Sequence, residues 1–182
     1  MKEIEKMRSQ MMYSFSDPEI IESQKHAQAA CVRLLSMTVY DEGYREAIED
    51  LIPGIPASST VTPPIYCDHG HGIHLGEHVF VNYNATFLDG GDITIGDYVL
   101  IGPNCSFYTS QHPVDYISRR LPQETTYPIM IGEDTWIGGN VTVCPGVTIG
   151  KHCIIAAGSV VTHDIPDDCM AAGVPAEVKK HL

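Results

Sequence analysis

Cations are scarce in this chain of 182 residues: 11 Lys and Arg stand against 23 Asp and Glu, a formal charge of -12. The deficit argues against nucleic acid or an anionic membrane surface as the main partner, since both need a basic face. An anionic cofactor, which needs only a local cluster of donors, is compatible with it. Long apolar runs are absent as well, so no membrane span is expected. Met1 to Gln10 is polar and charged where a secretory leader would be apolar, and a cytoplasmic protein is expected. Six cysteines are present but no CxxC pair. Neither a structural zinc site nor a disulfide framework follows, and buried thiols in a reducing compartment do.

What is present is a repeat. Ile131, Ile137, Val143, Ile149, Ile155 and Val161 recur every six residues. Thr135, Val141, Val147, Cys153, Ser159 and, less typically, Ile165 follow four places after each. A unit this short cannot bury its own aliphatic side chain, so coils must stack around one shared interior. A large residue followed by a small one fills a narrow, tapering cross-section without overpacking. A helix does not suit the spacing, because apolar positions six apart drift around its surface. Val, Ile and Thr favour strands, and Pro145 and the glycines would break a helix here.

The period does not reach residues 1–62, which read as a helical cap. Asp17-Pro18 has the form of an N-cap followed by proline at the first helical position. Ile20, Gln24, Ala27, Cys31 and Leu34 then keep near-helical spacing, and Tyr44, Ala47, Ile48 and Leu51 form a second face stopped by Pro53-Gly54. Such a cap would shield the open edge of the first coil. Residues 63–182 form the solenoid. Leu75, Val81 and Phe87 keep the interval, with Val79 and Ala85 at the small positions. A two-residue slip falls at Leu88–Asp92, and Ile95, Ile101 and Phe107 resume, with Cys105 at a small position. Residues 108–128 break the pattern, yet Phe107 and Ile131 stand a whole number of units apart, so a loop is thrown out and returned. A loop of this length in a compact protein is usually functional or disordered.

Within that loop, Pro113 biases His112 towards an extended, projecting conformation. Imidazole takes a proton near neutral pH, which suits a general base, although by spacing alone a lone loop histidine is more often solvated than catalytic. His69, His71, His74 and His78 crowd another stretch; only His69 and His71 would share a strand face by alternation. No carboxylate or thiolate spacing completes a familiar ligand set, and no metal is expected.

The hexapeptide ladder, the His112-Pro113 loop, the Ile137-Gly138 unit and the Ala171-Ala172-Gly173-Val174-Pro175 ending together resemble the hexapeptide-repeat acyltransferases, most nearly the maltose and galactoside O-acetyltransferases. The resemblance implies a mainly β fold, a left-handed parallel β-helix assembled as a homotrimer with active sites between subunits. It implies an enzyme in which acetyl-CoA is the co-substrate, a sugar hydroxyl the acceptor and His112 the general base. Asn82 matches a position that contacts the acceptor and the reacting acetyl group, where an amide could donate to the oxyanion; the residue also suits a solenoid corner. Asp68 and Glu124 fall at acceptor-contacting positions but differ from the galactoside enzyme. Asp89, beside the slip, suits a sugar contact or a turn aspartate.

For CoA the resemblance points to Gly139, Ala157, Thr162 and His163 along one face, with Lys179 and Lys180 nearby. Small residues admit the pantetheine arm and cations suit its phosphates. His163 stands where lysine is frequent, and Glu177 where the galactoside enzyme has arginine, so cationic contacts are fewer. The chain also starts beyond an acceptor-binding aspartate of that enzyme, so sugar identity does not transfer. An amino-sugar or antibiotic acetyltransferase would use the same base and cofactor. A non-catalytic scaffold would need neither His112 nor the Gly-Val-Pro ending. A γ-class carbonic anhydrase needs a further loop histidine that is missing after His112.

Overall fold

A computed structural model describes residues 1–182, and their body is a three-sided solenoid of parallel strands. Each six-residue unit supplies one short strand and one corner. On the first face Thr60–Val61, Phe80–Val81, Leu100–Ile101, Trp136–Ile137, Ile154–Ile155 and Cys169–Ala172 stack in parallel. The second face stacks Ile65–Cys67, Ala85–Leu88, Ser106–Tyr108, Thr142–Val143 and Val160–Val161. The third stacks Ile73–Leu75, Ile93–Ile95, Ile129–Ile131 and Thr148–Ile149, with a last bridge to Ile165. Like sits on like through the stack: Ile101, Ile137 and Ile155 form one column, and Ile95, Ile131 and Ile149 another.

The periodic residues are the core. From Ile131 to Ile165 every large aliphatic and every small partner of the repeat is at most 4% exposed. Full burial of such a side chain is worth roughly 1.5–3 kcal/mol. The hydroxyls among them are satisfied. Thr135 Oγ1 donates to the Gly150 carbonyl at 2.9 Å and accepts from the Cys153 N–H at 3.0 Å, bridging consecutive coils.

The corners carry a signal of their own. Asn84, Asn104, Asp134 and Asn140 have φ between 56° and 60°, and each immediately precedes a small buried residue: Ala85, Cys105, Thr135 and Val141. Asn and Asp tolerate this left-handed region better than other L-residues do. At the equivalent corners before Val147 and Ser159 the chain uses Gly146 and Gly158.

Three helices cover the solenoid's first end: α1 (Glu3–Arg8), α2 (Pro18–Leu34) and α3 (Tyr44–Leu51). Asp17 caps α2 by accepting from the Glu19 N–H at 2.9 Å. Helix α2 buries Ile20, Ala27, Ala30, Cys31 and Leu34, and α3 buries Tyr44, Ala47, Ile48 and Leu51. Tyr44 closes the first coil's open edge: its hydroxyl donates to the Val61 carbonyl at 2.6 Å and accepts from the Val61 N–H at 3.1 Å.

The inserted residues are ordered by pairing. Ser110–Gln111 runs antiparallel to Gln123–Thr126, whose other edge pairs antiparallel with Tyr13–Ser14 of the cap. The Thr126 hydroxyl also donates to the Met7 carbonyl at the end of α1. Loop and cap are therefore one three-stranded unit. One expectation is corrected here. His69 and His71 do not alternate along a strand but lie in the turn between Ile65–Cys67 and Ile73–Leu75.

Candidate active site

The three-stranded unit sets a row of side chains. Ser110 faces Thr126 and Gln111 faces Thr125, so the next step of that register sets His112 opposite Glu124. Tyr13 faces Glu124 from the other side. Cross-strand neighbours on one face of a sheet are within contact, and these are. The Tyr13 hydroxyl donates to Glu124 Oε1, and Glu124 Oε2 lies 3.7 Å from His112 Nε2. Phe15 sets its ring edge-on to the imidazole, centroids 6.2 Å apart.

This row borders an open cavity of about 390 Å³ lined by Phe15, Gln24, Asp68, Leu88, Tyr108, Ser110, His112 and Glu124. No lysine or arginine is among them. Burial, then the charges of Asp89 and Glu124, pushes the Asp68 carboxyl up to about 7. Burial and the bond to Glu124 raise the Tyr13 phenol well above its ordinary range. Asp89 is wholly buried and has the geometry of the turn aspartate. One of its oxygens accepts from the N–H groups of Asp68 and His69, the other from Gly72. It acts from beneath the cavity, fixing the backbone that presents Asp68.

Asn82 lines a different cavity, of about 480 Å³, beside the first face. Around it stand Trp136 and the small residues Gly138, Gly139, Ala156 and Ala157. Asn82 follows the strand Phe80–Val81, and its Oδ1 accepts from the Tyr83 N–H at 2.8 Å. The group left to meet a ligand is the amide NH₂, a donor. Within one subunit His112 and Asn82 thus border separate cavities.

The CoA candidates divide in the same way. Gly139 and Ala157 line the Asn82 cavity. Thr162 and His163 follow the last strand of the second face, with Thr162 Oγ1 2.8 Å from His163 Nδ1. Lys179 and Lys180 lie on the C-terminal strand Glu177–His181, antiparallel to Cys169–Ala172, and Lys179 is paired with Glu177 at 2.9 Å.

The histidines near the cap belong to a structural network. Ser23 Oγ lies 2.8 Å from His69 Nδ1 and 2.9 Å from His71 Nε2, while Arg8 reaches His71 Nδ1 at 2.7 Å. Burial lowers His69 to about 4 and also lowers His71. Sequence reasoning missed Tyr13, Phe15 and Gln24 as site residues. Gln24 falls in the apolar stripe of α2, and its polarity there was the one available sign.

A family model described as bacterial transferase hexapeptide (six repeats) matches residues 128–163. Galactoside O-acetyltransferase of Escherichia coli K12 is 41% identical over 135 residues, 74% of this chain and 66% of that one. The solved maltose O-acetyltransferase of Clostridium difficile 630 superposes with a TM-score of 0.96 at 37% identity, covering 100% of this chain and 98% of that one. A hexapeptide-repeat acetyltransferase of Vibrio cholerae, solved with acetyl coenzyme A, gives 0.92 at 39% identity over 100% and 99% of the two chains. Ladder, cap and insertion are thus shared along the full length, and the chain belongs to the hexapeptide-repeat acetyltransferases.

Proposed function

We propose that this protein transfers the acetyl group of acetyl-CoA directly to a hydroxyl of a sugar, with His112 as general base. The observation that carries the reading is the cavity beside His112. It is rich in hydrogen-bonding groups (Gln24, Asp68, Tyr108, Ser110 and Glu124), with Phe15 and Leu88 as apolar walls, which suits a polyol. The relatives support the same class: one is named for maltose, one for galactosides, and one was solved with acetyl coenzyme A.

The chemistry is a single displacement. The acceptor oxygen attacks the thioester carbonyl as His112 takes its proton, and the carbonyl oxygen becomes an oxyanion. The Asn82 NH₂ donates to that oxyanion. The C–S bond then breaks and His112 returns the proton to the departing thiolate. General-base catalysis of this kind contributes about 10²–10⁴-fold, and holding both substrates in place supplies much of the remainder. Gly139 and Ala157 form a wall low enough for a pantetheine arm, with Thr162, His163, Lys179 and Lys180 towards its phosphate end.

Because His112 and Asn82 border separate cavities of one subunit, the reading requires a second copy to bring them together. A homotrimer with sites between subunits meets that need. Its support is an apolar column in register on the outside of the first face: Phe80, Leu100 and Trp136 are all exposed. Exposed apolar surface of this kind marks association. A cytoplasmic location is part of the same reading.

The test is release of CoA thiol from acetyl-CoA with maltose, glucosides, galactosides, amino sugars and aminoglycosides. Amines belong in the panel because Asp68 and Glu124 would also suit an ammonium group. Stimulation by a sugar alcohol is the expected result. Release by none of them, with no thermal shift from acetyl-CoA, overturns the enzyme reading.

A further inference from the structure

All six cysteines are free, and only Cys31 and Cys67 bring their sulfurs into contact, at 3.8 Å. Cys31 lies near the end of α2, and Cys67 ends the strand Ile65–Cys67 of the first coil, so the contact joins cap to solenoid. Neither takes part in the transfer chemistry described above. Both border a cleft of about 230 Å³ completed by Gln28, Val32, Leu35 and Tyr66. No charged residue lines it. It therefore admits small neutral molecules to two residues that are 6% and 9% exposed. The thiols differ: the hydrogen bond from Cys67 lowers Cys31, whereas that bond and burial raise Cys67. Cys31 is thus the nucleophile of the pair.

We propose that Cys31 and Cys67 form an oxidisable dithiol, which a hydroperoxide converts into a disulfide locking α2 to the first coil. The Cys31 thiolate attacks one peroxide oxygen and the O–O bond breaks. Cys31 becomes a sulfenic acid, and the departing oxygen takes up the Cys31 proton and leaves as water. The Cys67 sulfur then attacks the sulfenic sulfur. The S–S bond forms, the S–O bond breaks, and the hydroxyl leaves with the Cys67 proton as a second water. The two sulfurs are oxidised by two electrons and the peroxide is reduced by two. A dithiol reductant reverses the bond by exchange and is itself oxidised to its disulfide.

The lock acts on the acceptor cavity. Asp68 directly follows Cys67, and its N–H is tied, with that of His69, to the buried Asp89. Gln24 lies about two helical turns before Cys31 on the same face of α2. Asp68 and Gln24 both line the cavity beside His112. The thiol sulfurs stand well outside the bonding distance of about 2.05 Å, so bond formation shifts α2 against the strand that leads into Asp68. This coupling rests on the acceptor site assigned above; the oxidation itself does not.

The test treats the full chain with hydrogen peroxide, counts thiols after denaturation and maps unreduced peptides by mass spectrometry. Free thiols should fall from six by one pair, with a peptide joining Cys31 to Cys67 within one chain, and dithiothreitol should restore them all. In Cys67→Ala a cyclic 1,3-diketone should trap the Cys31 sulfenic acid, and Cys31→Ala should lose no thiol at the same dose. A cross-link through any other cysteine, a link between chains, or oxidation to sulfinic acid without a cross-link overturns the proposal. If one alanine variant does not fold, the other and the parent's peptide map decide it. In the transfer assay oxidation should change acceptor KM at least about threefold with acetyl-CoA KM within about twofold, and the change should be absent from Cys31→Ala. Equal acceptor KM in both states, despite the mapped cross-link, overturns the coupling to the cavity. Because the peptide map needs no acceptor, a failure of the sugar reading leaves the dithiol standing.

Discussion

Phe87 lies flat on Phe107 across two adjacent coils, ring centroids 4.9 Å apart and planes 8° from parallel. The two are register partners on the second face, and both are fully buried. Each is also the last regular residue before an interruption. Phe87 precedes the slip that carries Asp89, and Phe107 precedes the insertion that carries His112. The stack anchors the roots of both.

Truncating one member should therefore affect stability and activity together. Phe107→Ala leaves a cavity that stacked coils cannot close, and large-to-small changes of this type cost about 3–5 kcal/mol. Thermal melting should show a large drop in midpoint. Any folded fraction should show reduced kcat, because the insertion has lost its footing. Phe107→Leu should retain most of both.

The wall beside Asn82 depends on missing side chains. A Cβ placed on Gly102 would stand 2.6 Å from the backbone nitrogen of Gly139 and 2.8 Å from the carbonyl carbon of Gly138. Backbone, unlike a flexible side chain, cannot step aside. Gly102→Ala should cost roughly 1–3 kcal/mol through overpacking and raise KM for acetyl-CoA several-fold, with acceptor KM little changed. Equal KM values for acetyl-CoA in variant and parent would separate this wall from the cofactor.

Neighbouring residues respond to pH with opposite signs. His69 is held neutral, its folded value near 4 lying below the unfolded value of about 6.5. Its contribution is complete above pH 6.5 and falls away as pH drops towards 4, by on the order of 2–3 kcal/mol. Asp68, raised to about 7 from an unfolded value near 3.9, works in reverse. Its contribution is present at low pH and is lost as pH rises from about 4 to 7. Melting curves between pH 4.5 and 7.5 should thus show a shallow slope in the parent. In His69→Asn stability should fall more steeply as pH rises, and in Asp68→Asn it should fall more steeply as pH drops.

The ladder was legible because its cause is local. A six-residue unit must present one large and one small inward residue per strand, so Ile131 to Val161 announce the coil directly. The slip at Leu88–Asp92 and the insertion after Phe107 were legible as breaks in that rhythm. The corner residues were legible in principle, since Asn84, Asn104, Asp134 and Asn140 repeat just ahead of the small positions. What the insertion does was not legible. Gln123–Thr126 lacks a strand pattern and becomes a strand because Tyr13–Ser14 and Ser110–Gln111 flank it, a pairing that spans over a hundred residues. For the same reason Tyr13 and Phe15 gave no sign of facing His112, and Gln24 gave only its polarity within an apolar stripe. Asp89 stood out for its place at the slip, but only its buried hydrogen bonds separate a turn aspartate from a ligand contact.

If His112 removes the acceptor's proton, the decisive rate is thiol release from acetyl-CoA by His112→Ala at saturating acceptor. His112 is more than half exposed, edge-on to Phe15 and 3.7 Å from Glu124, so its removal should leave the melting temperature and oligomer mass nearly unchanged. The rate should fall at least about a hundredfold, the lower end of general-base catalysis. A folded His112→Ala enzyme that keeps more than about a tenth of the parent rate would remove His112 from the base role.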